Sequence, residues 1–199
     1  MAQLPAGRMR LIGFIGGMSW ESSAEYYRLA NELVRDRLGG FHSARCLLYS
    51  VDFAEVERLQ QQARWDQAAT ALADAAGALE RAGGELQVLC TNWMQKVADA
   101  VERATPLPLL HIADATAAAV RRAGLDRVGL LGTRFTMEQP FLRERLEQAG
   151  LEVVLPEAAD RELVTACSTT SWCWESSARP PARATARSPD GWSTAAPRA

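Results

Sequence analysis

Three short stretches of the chain carry residue types suited to proton transfer or carboxylate binding. In Val88-Leu89-Cys90-Thr91-Asn92, a thiol, a hydroxyl and a side-chain amide follow an apolar run, which sets them at a strand's carboxyl end. A helix starting near Trp93 is expected to lower the thiol pKa through its N-terminal dipole. A buried structural cysteine fits the same position, and position alone leaves both readings open. In Gly16-Gly17-Met18-Ser19-Trp20-Glu21-Ser22, two glycines let the backbone turn tightly and bring N–H groups to an anion at a helix N-terminus. The alternative is an ordinary turn into a helix capped by Ser22. The third stretch, Gly132-Thr133-Arg134-Phe135-Thr136, offers hydroxyls and backbone donors to a carboxylate, or forms a capped loop.

Other chemistry is harder to place. Gly13-Phe14-Ile15-Gly16 has part of a dinucleotide fingerprint, without a convincing third glycine or acidic partner. Cys46 lies inside an apolar run and reads as core. His42 and His111 read as structural hydrogen-bonding groups, too distant in sequence to argue a metal pair. The four cysteines, Cys46, Cys90, Cys167 and Cys173, have neither zinc-type CxxC pairs nor the density of a disulfide scaffold. No metal is expected, and a reduced compartment fits.

The elements that must position these groups alternate in type. Apolar runs at Arg10 to Ile15, Cys46 to Val51, Leu86 to Cys90, Leu107 to Ile112, Arg127 to Leu131 and Leu151 to Leu155 read as strands. Helical periodicity covers Ser22 to Leu38, Asp66 to Ala82, Met94 to Arg103, Asp114 to Ala123 and Glu138 to Ala149. Gly39, Gly83, Gly124 and Gly150 stand where helices end. Alternating strands and helices predict an α/β fold, a mostly parallel sheet with helices on both faces and ligands beyond the strands' carboxyl ends.

Composition narrows the partners. In 199 residues, 48% hydrophobic content suffices for a packed core, and 22 basic against 24 acidic residues give a net charge of -2 with no basic stripe for nucleic acid. No apolar run is long enough to span a membrane and no secretory signal precedes the first strand, so a cytoplasmic protein without membrane association is expected. Residues 1–8 read as an N-terminal extension and 9–164 as the α/β region. Residues 165–199 break the pattern: they contain no Val, Ile, Leu, Met, Phe or Tyr, yet hold three of the six tryptophans and two of the four cysteines. A low-complexity tail, disordered and unable to form a strand or a core-facing helix, is expected there.

Taken in order, several stretches together resemble the aspartate/glutamate racemase family, in particular its broad-specificity amino-acid racemase branch. They are Ile12 to Ser22, Gly39 to Ala44, Tyr49 to Phe53, Val88 to Asn92, Leu110 to Thr116 and Leu131 to Gln139. The resemblance implies two pseudo-symmetric α/β halves with the active site between them and one cysteine from each half. It implies no cofactor, neither pyridoxal phosphate nor metal, and a small amino-acid substrate. Inverting a stereocentre needs a base on one face of Cα and an acid on the other, roles that two opposed thiols can exchange. By resemblance Cys90 is the acid/base of the first half, with Met18, Gln60, Thr91, Asn92, Thr133 and Thr136 as substrate contacts.

Two departures stand out. The family usually has a small hydroxyl residue after the asparagine and often a histidine two positions later, where this chain has Trp93 and Gln95. A tryptophan there is expected to fill substrate space. The family's second cysteine, in a GCTE-like strand end, has no counterpart in this sequence, so impaired racemisation is expected. A homodimer or aggregation through apolar surface left bare by an incomplete second half is a further expectation. The alternative function is a non-catalytic carboxylate-binding or interaction module.

The tail has a reading-frame explanation. Trp172-Cys173-Trp174-Glu175 requires TGG-TGY-TGG-GAR, and the same bases read one position earlier give Leu, Met or Val followed by Val-Leu-Gly. Codons allowed outward from Thr165 extend this into an amphipathic helical string resembling the family's continuation. The single lysine, Lys96, among many arginines fits a GC-rich gene, in which shifted frames are rich in Ala, Pro and Arg. The coding DNA beyond codon 164 is therefore expected to encode a GCTE-like segment one base out of frame. Sequencing that locus and finding an uninterrupted native frame without such a segment refutes the frameshift.

Overall fold

The computed structural model describes the backbone of residues 8–177 and the side chains from Arg8 to Cys167. Strands β1 (Ile12–Gly16), β2 (Cys46–Ser50) and β3 (Leu86–Leu89) form a parallel sheet in the order β2-β1-β3. Ile12 pairs with Cys46 on one side and Leu86 on the other, so β1 is the covered centre. Phe14 and Ile15 are buried there, as central parallel strands require.

Helix α1 (Trp20–Leu38) follows β1, and α2 (Phe53–Gln61) and α3 (Trp65–Arg81) follow β2. The cap of α1 is Ser19, whose hydroxyl accepts from the Ser22 N–H at 3.2 Å, so the helix starts before the expected Ser22. Asp52 likewise caps α2, a helix that the periodicity did not reveal, by accepting from Ala54 N–H. Helix α3 lies close on β1, for a Cβ at Gly13 would stand 2.9 Å from the Leu79 side chain. Ile15, Leu72, Leu79, Leu89, Met94 and Val101 anchor the core that results. Burying each such side chain contributes roughly 1.5–3 kcal/mol.

The expected strand at Leu107 to Ile112 reduces to one bridge, Leu109 to Gln87. Pro106 and Pro108 lack the N–H groups a strand needs, and His111 instead begins α5 (Ile112–Arg122) by accepting from Ala113 N–H on Nδ1 at 3.1 Å. Before it, a 3-10 turn (Trp93–Val97) leads into α4 (Ala98–Ala104). The predicted helix from Met94 is thus divided.

The second half has its own small sheet. Strands β4 (Arg127–Gly129) and β5 (Glu152–Val154) pair in parallel, separately from the first three. Helices α6 (Arg134–Glu138) and α7 (Pro140–Gln148) lie between them, and Ala113, Ala117, Leu142, Leu146 and Leu151 form the buried centre. The fold is α/β with parallel strands and flanking helices, distributed over two sheets instead of one. Gly39, Gly83, Gly124 and Gly150 all have positive φ at helix ends, as their positions predict.

Helix α8 (Ala158–Ser177) crosses the expected boundary at residue 164. The helix continues from there to Ser177. The first turns of α8 nucleate the helix, each added residue gains one hydrogen bond, and no Gly or Pro interrupts the stretch to Ser177. Residues 178–199 lie outside the described residues. Among the described residues no helix is long and apolar enough to cross a membrane.

Gly17 has φ +91°, and a Cβ there would lie 2.2 Å from the Val51 carbonyl oxygen. Gly17→Ala is expected to destabilise the fold by on the order of 3 kcal/mol through backbone strain and overpacking, read as a lowered urea midpoint.

Candidate active site

Cys90 is the first residue beyond β3. Its N–H donates to the Ile15 carbonyl at 2.9 Å, and the residue is fully buried. Burial pushes its thiol pKa up to about 12. The expectation of a lowered pKa is thereby reversed. The chain runs from Cys90 into a short 3-10 turn in place of the expected α-helix, and lost solvation governs the thiol. Tyr26 of α1 is close enough to Cys90 for its hydroxyl pKa to rise, first through burial and then through repulsion by the thiolate. Tyr26 also lines an open groove along α1 with Glu21, Ser22, Glu25 and Leu29.

The predicted contacts divide between two surroundings. Met18 is buried in the first core. Thr91 is half-buried beside Cys90, and Asn92 is exposed. Gln60, at the end of α2, directs its amide nitrogen at the Met94 sulfur, next to Trp93. Thr133 caps α6, its hydroxyl lying 3.2 Å from that of the buried Thr136. The capped-loop reading of this stretch holds.

The Cys90 and Thr133 loops meet through Trp93. Its indole N–H donates to the Thr133 hydroxyl at 3.1 Å, and its ring stacks on Phe135 with centroids 4.8 Å apart. Trp65 stacks on Phe135 at 5.7 Å. Lys96 places its ammonium 4.2 Å from the Trp65 ring centroid and donates to Gln139 Oε1 at 3.1 Å. Aromatic rings therefore fill space between the Cys90 and Thr133 loops. Phe135, Trp65, Lys96 and Gln139 were given no role at this site from sequence; for the rings, the only signal is their concentration beside the loops in a chain with 7% aromatic residues.

His111 is buried, and burial first, then the nearby Arg145 charge, lowers its pKa. The resulting neutral imidazole can accept at Nδ1, which is its capping role. The arrangement bears out its assignment as a structural hydrogen-bonding group. Among the described residues no group of three or more His, Cys, Asp or Glu is placed to hold a metal.

The Asp/Glu/hydantoin racemase family model matches residues 15–188, most of the chain and every stretch that builds these loops. The chain belongs to the Asp/Glu/hydantoin racemase family. Its enzyme class is that of the racemases and isomerases. A Yersinia pestis protein assigned to the Asp/Glu racemases is 53% identical, with TM-score 0.81 over 84% of this chain and 73% of that one. An aspartate racemase homologue from Pyrococcus horikoshii is 34% identical, with TM-score 0.76 and the same coverages. The Picrophilus torridus aspartate racemase, at 17% identity and TM-score 0.64 over 83% of this chain and 72% of that one, shares the fold.

For this racemase-family chain, the buried thiol predicts slow chemistry at neutral pH. Iodoacetamide should modify the exposed Cys167 well before Cys90, whose thiolate fraction at pH 8 is about a thousandfold below that of an ordinary thiol. The Cys90 rate should climb with pH toward about 12. Peptide mass spectrometry reads both rates, and equal modification at pH 8 contradicts the assignment.

Proposed function

We propose that the chain follows the plan of a cofactor-independent amino-acid racemase in which Cys90 serves one face of Cα. The observation that carries this reading is a racemase-family chain with a thiol at the carboxyl end of β3, seated against β1 and succeeded directly by Thr91 and Asn92. Its substrate is a small amino acid, aspartate, glutamate or a relative, and it acts in the cytoplasm without nucleic acid or membrane, alone or as a homodimer.

The raised pKa supports a direction for Cys90. Held as the neutral thiol, it is the acid that returns a proton to Cα, leaving a thiolate, after a base on the opposite face has removed the original proton. Met18, Gln60, Thr91, Asn92, Thr133 and Thr136 are the proposed substrate contacts. Donors in this group, aimed at a carboxylate, stabilise the carbanion-like species as charge moves onto its oxygens.

The opposing base belongs to the second half, and no good candidate for it stands among the described residues. Cys167 is exposed on α8, and the side chain of Cys173 lies outside the described residues. The frameshift reading supplies the missing thiol from the restored frame, and the present chain is accordingly impaired.

A second reading rests on Trp93. Its indole occupies the Thr133 hydroxyl that the substrate carboxylate would use, favouring a module that binds carboxylates without turning them over. Calorimetric binding of L-glutamate without solvent deuterium uptake at Cα would select this reading.

Chiral chromatography of L-aspartate, L-glutamate and L-homoserine separates these proposals. Little or no turnover is expected from the chain as it stands and measurable turnover from the frame-restored chain. Cys90→Ser in the restored chain should cost roughly 10²–10⁴-fold. Trp93→Thr should lower KM by freeing Thr133. Equal turnover by the present and restored chains overturns the account of impairment.

A further inference from the structure

Gln95 stands on the 3-10 turn just after the Cys90 loop and is only 3% exposed. Its side-chain nitrogen donates to the Thr91 carbonyl at 3.0 Å and to the Leu89 carbonyl at 3.4 Å. These residues flank Cys90, so one amide nitrogen ties down the backbone on both sides of the thiol. The Gln95 backbone N–H adds a tie to the Asn92 carbonyl at 3.3 Å. Together with the Cys90 N–H on Ile15, these bonds hold the loop through Asn92.

The other end of the side chain has an opposite balance. Gln95 Oε1 is buried with no hydrogen-bond partner among the described residues. A bare buried carbonyl costs roughly 1–3 kcal/mol, whereas a methionine would fill similar space without that loss. Packing therefore does not account for an amide at this position. The donor end does.

We propose that Gln95 is a positioning residue for Cys90, its amide nitrogen splinting the Leu89 and Thr91 carbonyls and so fixing the direction and burial of the thiol. The catalytic meaning of this splint rests on the proposed role of Cys90, but the splint itself is tested on the thiol without any turnover. Gln95→Met removes both donors at similar volume. Gln95→His keeps an N–H donor at this position.

In the full chain, the pH profile of iodoacetamide modification is followed at Cys90 by peptide mass spectrometry, with Cys46 as an internal control and thermal melting alongside. Gln95→Met is expected to raise the Cys90 rate at pH 8 by about tenfold, equivalent to one unit of thiol pKa, as the released loop admits water. The Cys46 rate and the melting transition should hold. Gln95→His should return the slow profile; if the methionine variant does not fold, a folded Gln95→His chain about tenfold more reactive at Cys90 than the unsubstituted chain overturns the proposal. A Gln95→Met profile superimposing on that of the unsubstituted chain overturns the proposal. So does an equal rise at Cys46, which marks general loosening, or a Gln95→His chain that is folded and as reactive as the methionine variant. Retained turnover in frame-restored Cys90→Ser would instead remove the catalytic reading and leave the splint result standing.

Discussion

Two backbone carbonyls at the end of β1 organise the first half. Ile15 accepts from the Cys90 N–H at 2.9 Å, and Gly16 accepts from the Val51 N–H at 3.0 Å. Both neighbouring chains are thereby tied to β1 at the first residue beyond their strands, and the loops start from fixed points. Ser23 closes the third side: its hydroxyl accepts from Gly17 N–H and donates to the Ser19 carbonyl. Because Val51 backbone stands against Gly17, no side chain fits between them. Unpaired buried backbone groups are costly, so this edge keeps its arrangement while the loops beyond it vary.

Between the halves, rings outweigh ion pairs. Each aromatic pair in the Trp65, Phe135 and Trp93 stack contributes about 0.5–1.5 kcal/mol beyond its buried area, and the Lys96 ammonium, 5.5 Å from the Phe135 centroid, about 0.5–2 kcal/mol. Arg145 of α7 also reaches across to Glu102 of α4 while pairing within its own half with Asp114 of α5, but partly in solvent, where such pairs contribute about 0–1 kcal/mol. The Arg145 hydrogen bond is the main cause holding the Asp114 carboxyl below its ordinary range. That contribution is present above the ordinary carboxylate pKa and fades as the pH falls through the lowered one. The ring stack has no such dependence on pH.

The order of elements was readable because apolar runs and helical periods alternate, and glycines at positive φ mark the helix ends. Three features were less readable, each for a tertiary or local reason. The strand expected at Leu107 gave way to two prolines. The single sheet divided because the β4 and β5 runs pair only with each other. The lowered thiol pKa expected of Cys90 came from considering a helix end alone, when burial by the neighbouring elements dominates. Cys90, Thr133 and Trp93 were identifiable as residues beside strand ends, but their mutual placement was not: the Trp93 bond to Thr133 spans forty positions of sequence. Gln95 carried no sequence signal except as a departure from the family pattern.

The distribution of the first core along the chain has a consequence for biosynthesis. Its buried members run from Ile15 to Val101, and the latest residues packed against it are Leu107 and Leu109. The residues of the second core begin at Ile112. A ribosome making the chain thus completes one packed unit before it translates the other, and domains fold as units in that order. The bond from Cys90 N–H to the Ile15 carbonyl lies wholly within that first unit, so the backbone seat of the thiol can form while the loop bearing Thr133 is still unmade.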